Sequence, residues 1–214
     1  MDKNSKFVIT INRELGSGGR TVGRLLAEKL GVPYYDKLLI QSLQKKYNLS
    51  VEEIEKAKGN KNQWLTYLKN AFVSIGQNKD ELWYYQMANG EDSDMVTSEE
   101  MFKLEQQILL TAAEEQSCIV AGRSGFYVFA NHPNHLSILI QASMEHRIKR
   151  VMKKQGLSRE EAEKAIKNVD KMRENYVKKF TGSSRYNTQN YDLVISMDGK
   201  TEDEIVKLIL NYIG

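Results

Sequence analysis

The chain is expected to fold as a three-layer α/β domain: a parallel sheet flanked by helices and carrying a helical insertion. Three observations predict this. An apolar run at Val8, Ile9 and Ile11 ends in a glycine-dense turn, and an amphipathic helix opens directly from it. Short apolar runs then recur at Cys118–Ala121, Leu136–Ile140 and Leu193–Ile195, separated by helical stretches. Strands spaced by helices argue for a parallel sheet covered on both faces.

The elements follow in order. Val22, Leu25, Leu26 and Leu30 repeat at helical spacing after the first strand, and Pro33-Tyr34-Tyr35 reads as a second short strand. S/T-x-x-E capping boxes at Ser50–Glu53, Thr97–Glu100, Ser158–Glu161 and Thr201–Glu204 mark helix starts, because the hydroxyl and the carboxylate satisfy each other's orphan N–H groups. Helical stripes are expected at Trp64, Tyr67, Leu68, Ala71, Phe72 and Ile75, and again at Met101, Leu104, Ile108, Leu109 and Ala112. Residues 44–96 show helices and no convincing strand, so the domain reads as a core of 1–43 and 97–214 with an insertion at 44–96.

The most informative stretch is Gly16-Ser17-Gly18-Gly19-Arg20-Thr21, between the first strand and its helix. A glycine loop at a helix N-terminus gathers unpaired N–H groups and the positive end of the helix dipole, which suits a phosphate. A P-loop normally reads G-x-x-x-x-G-K-[ST]. In one register Arg20 takes the lysine's place and Glu14 stands at the first glycine; in the other, Gly19 stands at the lysine. In both, Arg20 is the cation inside the loop, with Arg13 before it and Arg24 a turn later. A guanidinium forks onto phosphate oxygens, so charge neutralisation survives the loss of lysine.

Composition excludes several classes. The 214 residues, 41% hydrophobic and 28% charged, suit one soluble domain, and a net charge of +3 does not by itself argue for nucleic acid. No apolar run approaches the roughly 20 residues of a membrane span. The opening MDKNSKFVITI lacks a signal-peptide core, so a cytoplasmic location is expected. The single cysteine, Cys118, rules out an internal disulfide and reads as a small core residue. Glu91-Asp92-Ser93-Asp94 lacks the glycine and distal glutamate of a calcium loop, and His132, His135 and His146 do not form a metal triad. Trp64, Trp83, Tyr84 and Tyr85 could stack on a base, yet aromatics at helical spacing are usually core.

Two more constellations carry chemistry. Arg123, in Ala121-Gly122-Arg123-Ser124-Gly125, follows a strand at its carboxyl end, where open α/β sheets place ligands. Arg147 and Arg150 lie three apart on one helix, and Lys171 and Arg173 lie on the next, which could close as a lid over transferring phosphates or form a solvated basic face.

These residues carry a family resemblance over nearly the whole chain. ITINRELGSGGRTVGRLLAEKLGVPYYD resembles the start of the cytidylate kinase-like family, whose loop has the form I-[DS]-G-P-x-G-[AS]-G-K. AGRSGFYVF resembles the G-R-D-x-G-T-V-V-F segment, with Ser124 in place of aspartate, and LSILIQASMEHRIKRV resembles the family's A-S-x-E-x-R-x-x-R lid entry. VDKMRENYVKKF and YDLVISMDGKTEDEIVKLI continue the similarity.

The resemblance implies a P-loop kinase-type fold, a lid near residues 143–186, and transfer of the γ-phosphoryl group of ATP, with Mg²⁺, to a nucleoside monophosphate such as CMP or dCMP. It implies that Gly16, Ser17, Gly18, Gly19, Arg20 and Thr21 hold the donor phosphates, with Thr21 a ligand of Mg²⁺. Asp36 and Arg123 are implied on the acceptor side, and Arg147, Arg150 and Arg173 beside the transferred group with Arg20. Two alternatives stay open: a nucleotide-binding protein without kinase activity, and a kinase acting on a different small-molecule acceptor. No membrane or nucleic-acid partner is expected, and the oligomeric state is not specified.

Overall fold

A computed structural model describes residues 1–36 and 99–214. The expected insertion at 44–96, its aromatic stripe, the acidic run at 91–94 and the capping boxes at Ser50 and Thr97 lie outside the described residues. Labels below number the described elements in chain order.

The described elements are β1 (Val8–Arg13), α1 (Gly19–Leu30), β2 (Tyr34–Tyr35), α2 (Glu99–Glu115), β3 (Cys118–Ala121) and α3 (Gly125–Val128). They continue with β4 (His135–Gln141), α4 (Met144–Gln155), α5 (Arg159–Thr181), β5 (Leu193–Ser196) and α6 (Glu202–Tyr212). The five strands are all parallel, in the order β2-β3-β1-β4-β5. β1 is the middle strand: Val8–Ile11 pair with Cys118–Ala121 on one side, and Val8–Arg13 with His135–Ile140 on the other. The chain leaves β1 toward β2 and β3 and returns across it to β4 and β5. This reversal opens a crevice at the strands' carboxyl ends, where doubly wound sheets bind ligands.

Alternation along the strands divides the core. Ile9, Ile11, Ile119, Ala121, Ile138 and Ile140 cluster with Val22 and Leu26 of α1 and with Ile205, Val206 and Ile209 of α6. Thr10 points to the opposite face, where α3 approaches so closely that a Cβ on Gly125 would lie 2.8 Å from the Thr10 methyl. The predicted capping boxes at Ser158 and Thr201 both form, and start α5 and α6.

A second apolar cluster joins α4 and α5 through Ile148, Val151, Ala162, Ile166 and Val169. Leu15, from the turn after β1, is buried within it. The helix pair predicted as a lid is therefore packed onto the glycine turn.

Candidate active site

The site is built at the carboxyl end of β1. Gly16 and Gly18 adopt φ of 80° and 87°, the left-handed region that only glycine enters cheaply. Gly16 is also confined by α4, since a Cβ there would lie 2.8 Å from the Arg147 carbonyl oxygen. Ser17 stiffens the turn: its hydroxyl donates to the Glu14 carbonyl at 3.0 Å and accepts from the Gly19 N–H at 3.3 Å. Glu14 accepts from the Ala142 N–H at 3.0 Å and lies 3.7 Å from Arg147, so it ties the turn to the start of α4.

Helix α1 begins after Gly18, which offers no side-chain cap, and has no acid in its first turn. The starts of α4, α5 and α6 are each capped by Ser or Thr and carry glutamates. The positive end of the α1 dipole thus keeps no compensating carboxylate of its own, which leaves it suited to an anion.

The predicted cations are distributed unequally around this turn. Arg20 is drawn to Asp36, beyond β2, with 3.1 Å between the charges, which brings two predicted site residues together. Arg150 reaches over the turn, donating to the Thr21 hydroxyl at 3.2 Å and meeting Glu202 at 2.6 Å. Its guanidinium carbon lies 3.5 Å from where a Cβ on Gly18 would sit. Arg173 donates to the Arg13 carbonyl at 3.1 Å and lies 3.7 Å from Asp170. Arg147 departs from the lid expectation. It is buried at 7% exposure, with its guanidinium 2.5 Å from Asp170, because α4 presents it to the turn's underside and away from solvent.

Three residues that sequence reasoning missed complete the arrangement. Asp170 accepts from the Leu15 N–H at 3.0 Å and gathers Arg147, Arg173 and Arg185. Arg185 is fully buried; it also donates to the Arg13 carbonyl and to the Asn12 side chain. Glu105, from α2, is buried beside Arg123.

On the other side of the crevice, β3 ends in three consecutive left-handed residues: Gly122, Arg123 and Ser124, with φ of 75°, 54° and 53°. Non-glycine residues rarely hold this conformation, and such strain gathers at ligand sites. The turn is held by contacts to Arg123, whose guanidinium lies 2.6 Å from Glu105 and stacks 4.3 Å from the centre of the Tyr176 ring. The Tyr176 hydroxyl donates to the same carboxylate at 2.7 Å. Burial pushes that phenol well above its ordinary range, so it stays protonated as a donor. Phe102, one turn before Glu105, stacks on Phe180 at 4.4 Å and fixes α2 against α5.

A single side chain spans the two halves. Arg13 ends β1; its Cβ would stand 2.6 Å from a Cβ on Gly19, and its Nη1 fills the place of a Cβ on Gly122. The glycine turn and the Arg123 turn are therefore one arginine's length apart.

For Mg²⁺ with ATP, the described residues offer few dedicated ligands: no cluster of three or more His, Cys, Asp or Glu side chains is found among them. Mg²⁺ is typically held by one or two protein oxygens together with phosphate and water. The Thr21 hydroxyl, in the first turn of α1, fits that modest requirement. Among the described residues no helix is long and apolar enough to cross a membrane.

A parallel 2-3-1-4-5 sheet with a glycine turn after its middle strand and a helical pair packed on that turn defines a P-loop kinase-type fold. The shikimate kinase structure from Bacteroides thetaiotaomicron shares this fold, with a TM-score of 0.50, 14% identity, and coverage of 98% of this chain and 99% of that one. An uncharacterized protein from Eubacterium ventriosum is similar at a TM-score of 0.66 and 23% identity, covering 98% of each chain. Residues 8–199 match the sequence model of the cytidylate kinase-like family, and the chain belongs to that family. A cytidylate kinase of Methanopyrus kandleri is 25% identical over 211 residues, 94% of this chain and 90% of that protein. Membership places the chain among the kinase-type phosphotransferases.

Proposed function

We propose that the protein transfers the γ-phosphoryl group of ATP to a nucleoside monophosphate, with CMP or dCMP as the acceptor. One observation carries the reading: two turns suited to anions, the uncapped start of α1 and the strained Arg123 turn, are bridged at the end of β1 by the Arg13 side chain. Phosphoryl transfer requires little more of a protein than such positioning and charge neutralisation.

In this reading the backbone N–H groups from Gly16 to Thr21 hold the donor phosphates. Arg150 stands beside them at Thr21, and Arg173 is anchored at the Arg13 carbonyl, close to where charge develops. Arg123, fixed by Glu105 and Tyr176, holds the acceptor phosphate. The Arg20–Asp36 pair borders the acceptor side, and Arg147 sets the turn's shape through Asp170. When bound, Mg²⁺ neutralises charge on the donor phosphates, with Thr21 as its protein oxygen. The acceptor's identity is supported by the family and by the Methanopyrus kandleri relative.

The test is ADP formation from Mg·ATP across a panel of nucleoside monophosphates, with Arg123→Ala in parallel. CMP or dCMP should stimulate turnover, and the variant should lose turnover far more than ATP affinity. Stimulation by a different acceptor would reassign the substrate. ATP-dependent thermal stabilisation without ADP under any acceptor would mark a nucleotide-binding protein without kinase activity.

A further inference from the structure

We propose that Arg13 supplies a second cation to the glycine turn, beside Arg150, reaching the donor phosphates from strand β1 instead of from helix α1. The inference deepens the phosphate-site reading above and rests on it.

The first observation is steric. Gly19 stands at the lysine position in one register of the loop, and the structure shows what occupies the room a side chain there would need. A Cβ on Gly19 would lie 2.6 Å from the Arg13 Cβ and 3.3 Å from its Cγ. Real Cβ atoms do not approach so closely, so a side chain at 19 and the Arg13 side chain in this position exclude one another. Gly122 leaves room for the guanidinium, because a Cβ there would clash with Arg13 Nη1.

The second observation is electrostatic. Arg13 is only 7% exposed, yet among the described residues its side chain donates no hydrogen bond and meets no carboxylate within ion-pair distance. Its neighbours are all partnered: Arg20 by Asp36, Arg123 by Glu105, Arg147 and Arg185 by Asp170, and Arg150 by Glu202. Glu14, next in the chain, is turned away to Ala142 and Arg147. A buried guanidinium without a counter-charge is costly, and proteins keep one where an anionic ligand provides the missing charge. The uncapped start of α1 packs, through Gly19, against the base of this same side chain.

Arg13→Met, and the exchange variant carrying Arg13→Gly with Gly19→Lys, test this. Binding of inorganic tripolyphosphate and of Mg·ATP is read by calorimetry, and stability by thermal denaturation. Arg13→Met should weaken both ligands about 10- to 100-fold, the range for a charge-assisted hydrogen bond. Its melting temperature should hold or rise, since an uncompensated buried charge has been removed. The exchange variant should recover affinity to within a few-fold of the parent, and it decides the matter alone if Arg13→Met does not fold.

Unchanged affinity in Arg13→Met, or a fall in melting temperature without a fall in affinity, overturns the proposal. So does a parent protein that binds neither ligand. Loss of tripolyphosphate binding in Arg13→Met while no monophosphate stimulates ADP formation upholds Arg13 and removes only the acceptor reading.

Discussion

The Glu105 carboxylate holds the guanidinium of Arg123 at 2.6 Å in a pocket where Glu105 is 2% exposed. Removing one member of such a pair strands the other charge, at a cost of about 3–5 kcal/mol. Glu105→Ala should therefore lower stability by about that amount in urea denaturation. In Glu105→Gln, which keeps a hydrogen-bond acceptor, acceptor KM should rise with little change in ATP affinity. Equal effects on both substrates would place Arg123 outside the acceptor site.

Asp170 is the common partner of a backbone N–H and three arginines beneath the glycine turn. Asp170→Ala leaves Arg185 buried without a carboxylate and Arg147 with only the more distant Glu14, at 3.7 Å, and about 3–5 kcal/mol of stability should be lost. At about 2–4 °C per kcal/mol for a chain of this size, the melting temperature should fall by roughly 6–20 °C. Calorimetric unfolding measures both quantities.

Arg150 is shared between Thr21 and Glu202, and a bound phosphate would compete with that glutamate. Glu202→Gln removes the competing charge, which lowers the cost of turning Arg150 onto the donor. The pair is partly exposed, so the gain in Mg·ATP affinity should be small, about two- to five-fold. Isothermal titration is the direct check, and a loss of affinity would mean that Glu202 orients Arg150 for binding.

His135 provides a pH dependence of stability. Burial pushes its imidazole down to about 4 from an ordinary 6.5, against the opposing pull of Asp192. Its Nε2 lies 2.8 Å from the Thr10 hydroxyl. The unfolded chain takes up this proton near pH 6.5 and the folded chain only near pH 4, so stability is present in full above pH 6.5 and declines as pH falls between these values. The loss should approach 2–3 kcal/mol by order of magnitude. Urea denaturation at pH 7 and pH 4.5 should show it, and His135→Gln should flatten the difference.

Much of the fold was readable from local pattern. Cys118–Ala121 is the observed strand, Leu136–Ile140 is extended by one residue at each end, and the Ser158 and Thr201 boxes cap their helices. Periodicity and capping are short-range properties, so they are visible along the chain. The glycine turn was readable for the same reason. Partner choice was not. Arg20 read as the cation inside the loop and Arg13 as one placed before it, and only the folded chain shows Arg20 drawn to Asp36 and Arg13 laid beside Gly19. Asp170 lies amid helical charges, and Arg185 follows Ser183-Ser184 like a surface loop residue, yet it is sealed in the interior. Glu105 shares the helical stretch of Met101 and Leu104 and gives no sign of its burial. Apart from Arg13–Gly19 and Asp170–Arg173, these are contacts across 15 to 173 residues of chain, for which spacing carries no signal.

Leu15 has a consequence of its own. It is an aliphatic peg, set into the apolar packing of α4 and α5, on a turn for which an ionic ligand is proposed. The attraction that captures phosphate weakens with ionic strength, while the hold on the turn's shape at Leu15 is indifferent to it. Salt should thus thin the traffic into the cradle without bending the cradle itself.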